Sequence, residues 1–252
     1  MLISGVDLAA EPKGTAVAVI NWLPDEAELV TLRLGVNDQQ VVDACEGSKK
    51  VGIDCALGWP VAFTDFLIGQ ANLEALERTP AFEGDSALRR NLAHRETDRH
   101  VREVTGRWPL SVSTDRLGMT AIRGAGLLSK FQEAGTAIDR SGSGRIVEIY
   151  PGASLRLWGF DTVGYRSSES IRERLLADLQ AETPWLNFGT HLQLMVDSCD
   201  AFDAVIAALA ARSAQLGRYE APSEAQLERA KIEGWVALPT GRLSDLIGGE
   251  QQ

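Results

Sequence analysis

The sequence is poor in the residues that build disulfide frameworks and zinc sites. Its 252 residues include only three cysteines and three histidines. Cys45, Cys55 and Cys199 lie far apart without a C-x-x-C pair, and the histidines form neither an H-x-x-x-H nor an H-E-x-x-H arrangement. These absences argue against a disulfide scaffold, a zinc knuckle and a zinc hydrolase.

Long apolar runs are also missing. No segment approaches the length of a membrane span, and Asp7 lies where the apolar core of a signal peptide would need uncharged residues. The scarcity of cysteine fits a reducing compartment. We therefore predict a cytoplasmic protein that has no membrane partner.

Basic residues are outnumbered by acidic ones. The 25 Lys and Arg residues against 35 Asp and Glu residues give a formal net charge of −10, which disfavours a protein that coats duplex nucleic acid indiscriminately. The balance is uneven, because residues 89–130 contain nine basic and four acidic residues. We expect this segment, called the basic window below, to face a substrate cleft and to attract a polyanion.

The residues that are present have the balance of an ordinary globular protein, with 44% hydrophobic and 24% charged residues. At this length one large α/β domain and two small domains are both open. Predicted strands are LISGVDLA, GTAVAVINWL and ELVTLRLGV as an antiparallel meander, then Val51 to Leu57, Ile146 to Tyr150 and Glu233 to Pro239. Predicted helices run from Asp65 until Pro80, Ser86 to Gly106, about Ala121 to Ala134, Ser168 to Ala181, Thr190 to Val196 and Asp200 to Gly217.

Acidic residues occupy unusual places in these elements. Asp7 and Asp54 each end an apolar strand, and Glu148 lies inside a strand that should be buried, where a cation is the usual remedy for a carboxylate. Asp200 and Asp203 lie three residues apart on a helix that is apolar nearly all round, and they share a face with alanines that would let the helix approach a sheet closely. Taken singly, each aspartate could instead be a turn residue or, for Asp197 or Asp200, a helix N-cap.

Taken together, these oxygen ligands predict a site for Mg²⁺ or Mn²⁺. Phosphoryl transfer from water is a reaction that needs such a carboxylate cluster, since two ions held about 4 Å apart activate the attacking water and neutralise the leaving oxygen.

A second candidate group lies in the basic window. Arg95, Asp98 and Arg99 occupy positions i, i+3 and i+4 of a predicted helix and form a possible phosphate clamp in which the aspartate orients the arginines. The alternative is a solvated helix face with internal salt bridges.

Several segments in order resemble the domain of unknown function 429, a family described as predicted nucleases with an RNase H-like fold. These segments are LISGVDLA, GTAVAVI, VGIDCALGWP, HRETDRHVR, IVEIYP, DAFDAVIAALAAR and EGWVALP, and they cover nearly the whole chain. The resemblance implies a mixed sheet with three antiparallel strands first, helices on both faces, and a carboxylate site made by Asp7, Asp54, Glu148 and the Asp200/Asp203 helix. No glycine-rich phosphate loop follows Asp7, which disfavours nucleotide phosphotransfer.

We therefore predict a single α/β domain of RNase H-like type at residues 1–245, with a helical insertion near 62–125 and a C-terminal tail at 246–252. We predict that it acts on nucleic acid as a metal-dependent phosphodiesterase of the nuclease type. Two other classes stay open: a non-enzymatic or regulatory binding module with the same fold, and a hydrolase or phosphotransferase of small phosphorylated metabolites, which the acidic net charge suits. The oligomeric state is left open. The predicted catalytic residues are Asp7, Asp54, Glu148 and Asp203, the predicted metal ligands are these four with Asp200, and the predicted substrate-binding residues are Arg95, Asp98 and Arg99.

Overall fold

A six-stranded mixed sheet lies at the centre of the protein, with the strand order β5-β4-β1-β2-β3-β6. The computed structural model describes residues 1–71 and 86–248. The strands are β1 (Leu2–Asp7), β2 (Ala16–Trp22), β3 (Ala27–Leu34), β4 (Ser48–Asp54), β5 (Ile146–Glu148) and β6 (Leu186–Asn187).

Ten α-helices fall within the described residues. They are α1 (Asp38–Ala44), α2 (Val61–Ala71), α3 (Ser86–Ala93), α4 (Glu96–Thr105), α5 (Gly118–Glu133), α6 (Pro151–Leu157), α7 (Glu169–Glu182), α8 (Leu192–Asp197), α9 (Cys199–Gln215) and α10 (Glu224–Glu233). Helix α9 packs on one face of the sheet, and α1 and α5 cover the other. No helix in this part of the chain is long and apolar enough to span a membrane.

The sheet topology confirms the predicted fold class. Strands β1, β2 and β3 form an antiparallel meander, whereas β4 lies parallel to β1, and β5 lies parallel to β4. Parallel neighbours end at the same edge of a sheet, so the β1–β4 register pairs the Cα atom of Asp7 with that of Asp54. The predicted strand ends are thus placed side by side by backbone pairing alone.

Helix α9 lies unusually close to the sheet. Its residues from Ala201 to Ala214 are all buried, as expected for a helix that is apolar nearly all round. A Cβ atom added to Gly5 of β1 would lie 2.1 Å from the carbonyl oxygen of Ala204 and 2.2 Å from the backbone nitrogen of Ala208. Glycine in the strand and alanine in the helix therefore set the spacing between the two layers.

We expect the Gly5→Ala substitution to lower the free energy of unfolding by about 1–3 kcal/mol or more, because the added methyl group meets helix backbone, which cannot rotate away. Chemical denaturation measures the change. The matched control is Gly126→Ala on the exposed side of α5, where a Cβ atom meets nothing within 4 Å and alanine should be neutral or stabilising by up to about 1 kcal/mol. Equal stability of Gly5→Ala and wild type would contradict the close approach.

The helix predicted from Ser86 to Gly106 is divided into α3 and α4. The division occurs at Arg95, whose backbone N–H donates to the carboxylate of Asp98 at 2.8 Å and so caps a new helix. The helix predicted from Asp65 begins earlier, as α2, and its continuation from residue 72 to Pro80 lies outside the described residues.

Two predictions near the C-terminus, the last strand and the tail, also differ from the structure. The strand predicted at Glu233 to Pro239 forms only two isolated bridges, one of which pairs Val236 with Glu148. In the predicted C-terminal tail, Leu246 is buried and ends a short 3₁₀ turn, and residues 249–252 lie outside the described part.

Candidate metal centre

A cavity of about 530 Å³ opens at the edge of the sheet where β1, β4 and β5 end. Its wall combines these strand ends with the first turn of α9, so segments far apart in sequence contribute side chains to one space. Seven of the eight predicted site residues line it, and Arg99 does not: the seven are Asp7, Asp54, Arg95, Asp98, Glu148, Asp200 and Asp203.

Three of these carboxylates form a tight group, called the acidic triad below. Asp7 and Asp54 are brought together by the parallel pairing of β1 and β4, and Asp203 approaches them from α9. One carboxylate oxygen from each residue lies within 4.8 Å of the others. Asp203 is buried, whereas Asp7 and Asp54 are half-buried and reach the cavity. Converging oxygen atoms of this kind are the donor set that a hard divalent cation prefers.

Asp203 is held in place by Tyr165. The Tyr165 hydroxyl donates to the two carboxylate oxygens of Asp203, at 2.9 and 3.2 Å. The thiol of Cys199, one turn earlier on α9, lies 3.6 Å from Oδ2 of the same carboxylate. These contacts fix the orientation of the aspartate before any ligand binds.

Positive charge reaches the triad through Arg166. Its Nη2 atom lies 3.2 Å from Oδ2 of Asp203 and 3.7 Å from Oδ2 of Asp54. The Arg166 side chain is 54% exposed, so solvent screens its charge. One solvated guanidinium compensates only part of three clustered negative charges.

Burial first, and the charges of neighbouring carboxylates second, raise the pKa values of the triad. Burial, followed by the charge of Asp203, raises the pKa of the Asp54 carboxyl to about 7. Burial raises the pKa of Asp203 to about 6, against the lowering effect of Arg166. Burial and the charge of Asp54 hold the pKa of Asp7 well above its usual range. A divalent cation would relieve both causes, so the donor set fits such an ion.

The raised pKa of Asp54 gives the metal-free protein a pH dependence. Between about pH 4, where an exposed aspartate titrates, and about pH 7, the folded protein holds a proton on Asp54 that the unfolded chain has lost. The contribution of Asp54 to the free energy of unfolding therefore falls as pH rises through this window. We expect the melting temperature of Asp54→Asn, relative to metal-free wild type, to rise from about pH 5 to about pH 8. A difference that is constant with pH would contradict this expectation.

Asp200 lies in the first turn of α9, lines the cavity and raises the pKa of Asp7. It is not one of the three residues in the acidic triad. Neither Asp200 nor Asp197 is the N-cap, because the hydroxyl of Ser198 accepts from the backbone N–H of Ala201 at 3.1 Å. The acidic side chain of Asp200 is thus available to the cavity rather than used to begin the helix.

Glu148 belongs to a separate buried ion cluster. Its two carboxylate oxygens accept from Nη1 and Nη2 of Arg95 at 2.8 and 2.7 Å, and Oε2 also accepts from the backbone N–H of Leu57 at 3.0 Å. The structure therefore does not bring Glu148 into the triad. Glu148 lines the same cavity, and the catalytic and metal-binding roles predicted for it stay predictions.

Arg95 has no donor left for a phosphate. Besides Glu148, it donates to Asp98 from Nε and Nη2, at 3.2 and 2.9 Å, and to the carbonyl oxygen of Glu233 from Nη1 at 3.1 Å. These contacts use all five N–H groups of a guanidinium. Arg95 and Asp98 thus form a buried ion pair that joins α4 to β5 and to the end of α10, and the substrate-binding roles predicted for them stay predictions.

Arg99 points away from this cluster. It forms a salt bridge with Glu96 at 3.2 Å and donates to Asn91 at 3.1 Å, beside a smaller cavity that Asp98 does not line. Arg95 is the cap that precedes α4, so Arg99 is the only one of the two that lies within the helix. Of the nine basic residues in the basic window, two, Arg95 and Arg116, line the cavity of the triad. The basic window as a whole therefore does not face the cleft as predicted.

Sequence reasoning missed Tyr165 and Arg166. They lie in the connection between α6 and α7, where a Tyr-Arg pair has no spacing relation to any acidic residue. It also missed the apolar wall of the cavity, which includes Leu8, Pro109 and Leu110. No local pattern in the sequence distinguishes these residues from ordinary loop residues.

Comparison with known proteins identifies one family. The profile of the family described as Protein of unknown function (DUF429) matches residues 5–227. A search of curated proteins and a search of solved structures found no significant match.

Proposed function

The chain belongs to the DUF429 family, and we propose that it is a metal-dependent phosphodiesterase whose cation is held by Asp7, Asp54 and Asp203. The observation that carries this proposal is the convergence of three carboxylates, from β1, β4 and α9, within 4.8 Å of one another. The strand order β3-β2-β1-β4-β5 with its antiparallel start supports the RNase H-like architecture that the family resemblance implies.

The donor set favours Mg²⁺ or Mn²⁺ over softer ions, because every candidate ligand in the triad is a carboxylate oxygen. Such an ion supplies a polarised water and neutralises charge on a phosphoryl oxygen when it is bound. Asp200, beside Asp7 in the cavity, is the residue that would extend the triad for a two-ion arrangement.

The protein's own residues supply the rest of the site. Tyr165 holds the Asp203 carboxylate through its hydroxyl group, whose single proton is shared between the two carboxylate oxygens. Pro109, Leu110 and Leu117 add apolar side chains to the wall of the cavity. Arg116 adds a positive charge to the wall of the same cavity, where it is suited to a phosphate oxygen.

Nucleic acid is the substrate that the family resemblance favours. One observation favours a smaller substrate: a cavity of about 530 Å³ falls in the range that encloses a small molecule, and most of the basic window lies elsewhere. A hydrolase of small phosphorylated metabolites is therefore the second candidate function. A nucleic acid whose strand terminus enters the cavity would be consistent with both observations.

A metal-dependent activity screen tests these functions. Purified protein is incubated with Mn²⁺, Mg²⁺ or EDTA and offered single-stranded, double-stranded and branched oligonucleotides, mononucleotides and generic phosphodiesters. Asp54→Asn, purified identically, measures contaminating nuclease. We expect cation-dependent turnover that the variant lacks. Turnover confined to mononucleotides would favour the second candidate, and binding without turnover of any substrate would favour a non-enzymatic module.

A further inference from the structure

Arg166 contacts the same carboxylates that the proposed cation needs. Its Nη2 atom lies 3.2 Å from Oδ2 of Asp203 and 3.7 Å from Oδ2 of Asp54. A divalent cation bound by these carboxylates would lie in the same small region, since carboxylate oxygens bind Mg²⁺ at about 2.0–2.1 Å. Two positive groups cannot share that space without strong repulsion.

The surroundings of Arg166 allow it to leave. More than half of its side chain, 54%, is exposed to solvent, and it lies in the connection between α6 and α7 rather than inside a helix. Its Nε atom donates to the Tyr165 hydroxyl oxygen at 3.1 Å. That hydroxyl independently donates to Asp203, so Asp203 keeps its orientation when the guanidinium moves.

We propose that Arg166 is an internal counter-cation that occupies the place of the metal, so that binding of a divalent cation is an exchange in which the guanidinium is displaced. The inference rests on the proposed metal centre. It makes Arg166 a positioning residue that holds the carboxylates together without metal and lowers the apparent affinity for the ion. The alternative is that Arg166 is a permanent scaffold that orients the triad for the ion.

The two roles predict opposite changes in metal affinity. Arg166→Met removes the charged guanidinium and keeps an unbranched side chain that reaches about as far as the Nε position of arginine. If the guanidinium competes with the ion, the variant should bind Mn²⁺ about tenfold more tightly, because a competing and repelling charge has been removed. If it is a scaffold, the variant should bind Mn²⁺ more weakly.

The measurement is the dissociation constant of Mn²⁺ without substrate, from the electron paramagnetic resonance signal of the free ion. The matched control is Arg116→Met, which removes the same charge from the same cavity outside the triad and should tighten binding by less than about threefold. Equal or weaker Mn²⁺ binding by Arg166→Met would overturn the proposal, as would equal tightening by both variants. Absence of Mn²⁺ binding by wild type and both variants would instead overturn the proposed metal centre.

A second measurement uses the wild-type protein and so does not depend on how a variant folds. The side-chain Nε–H resonance of Arg166, assigned in a ¹⁵N-labelled sample, is followed during titration with diamagnetic Mg²⁺. Displacement from Tyr165 should shift this resonance in proportion to the bound fraction. A resonance that is unchanged at saturating Mg²⁺, while backbone resonances of the triad shift, would show that Arg166 stays in place and would overturn the exchange.

Discussion

Asp54→Asn should lower metal-dependent turnover by at least about a hundredfold, the scale of removing one electrostatic catalytic group. Asparagine keeps the shape of the side chain, but it removes a charge that the cation requires. Because Asp54 lies within 4.8 Å of two other carboxylates, the same change relieves repulsion in the metal-free protein. We therefore expect an equal or higher melting temperature without metal, together with a smaller stabilisation by Mn²⁺.

The opposite signs of these effects distinguish a ligand from a structural turn residue. Asp25→Asn is the matched control, because it makes the same chemical change at an exposed position and should alter neither activity nor the Mn²⁺-induced shift. If Asp54 were only a turn residue that hydrogen-bonds the backbone at the end of β4, its variant would keep its activity. Any loss of that hydrogen bond would lower the melting temperature. An active variant with a lower melting temperature would remove the central ligand from the proposed site.

The sequence was sufficient to predict the part of the site that depends on backbone pairing. Two apolar strands that each end in an aspartate must place those residues together if the strands are parallel neighbours, and β1 and β4 are. Asp203 could be predicted because it is one of the few charged residues on α9, a helix that is otherwise largely apolar. The strand meander, the later strand and the buried helix could be predicted from the same features, whereas the RNase H-like mixed sheet with helices on both faces was implied by the family resemblance.

Long-range side-chain partners could not be predicted in the same way. Glu148 was expected to need a positive charge nearby. That charge comes from Arg95, which lies 53 positions away in sequence.

Two secondary-structure elements were also not predicted. The two residues of β6 are too few to show a periodic pattern, and α6 begins at Pro151, where the sequence indicated only the end of a strand. Proline fits the first turn of a helix as well as the end of a strand, so the sequence does not decide between them.

The buried ion cluster leads to the second large effect. Arg95→Met should lower the free energy of unfolding by about 3–5 kcal/mol, the cost of leaving buried charges without their partner. The Asp98 and Glu148 side chains are only 1% and 4% exposed, so water cannot replace the guanidinium. Urea denaturation of the variant and the wild type measures this loss.

The size of the loss separates a structural ion pair from a phosphate clamp. Arg99→Met is the matched control, because its salt bridge to Glu96 is partly exposed, at 33% and 27% for the two side chains, and should contribute less than about 1 kcal/mol. Adding Glu148→Gln to Arg95→Met should restore part of the stability, since it removes one of the two uncompensated charges. If Arg95 bound substrate instead, Arg95→Met would match the stability of the wild type and lose only affinity for phosphate. Because the five donors of Arg95 are all used within the protein, we expect the first result.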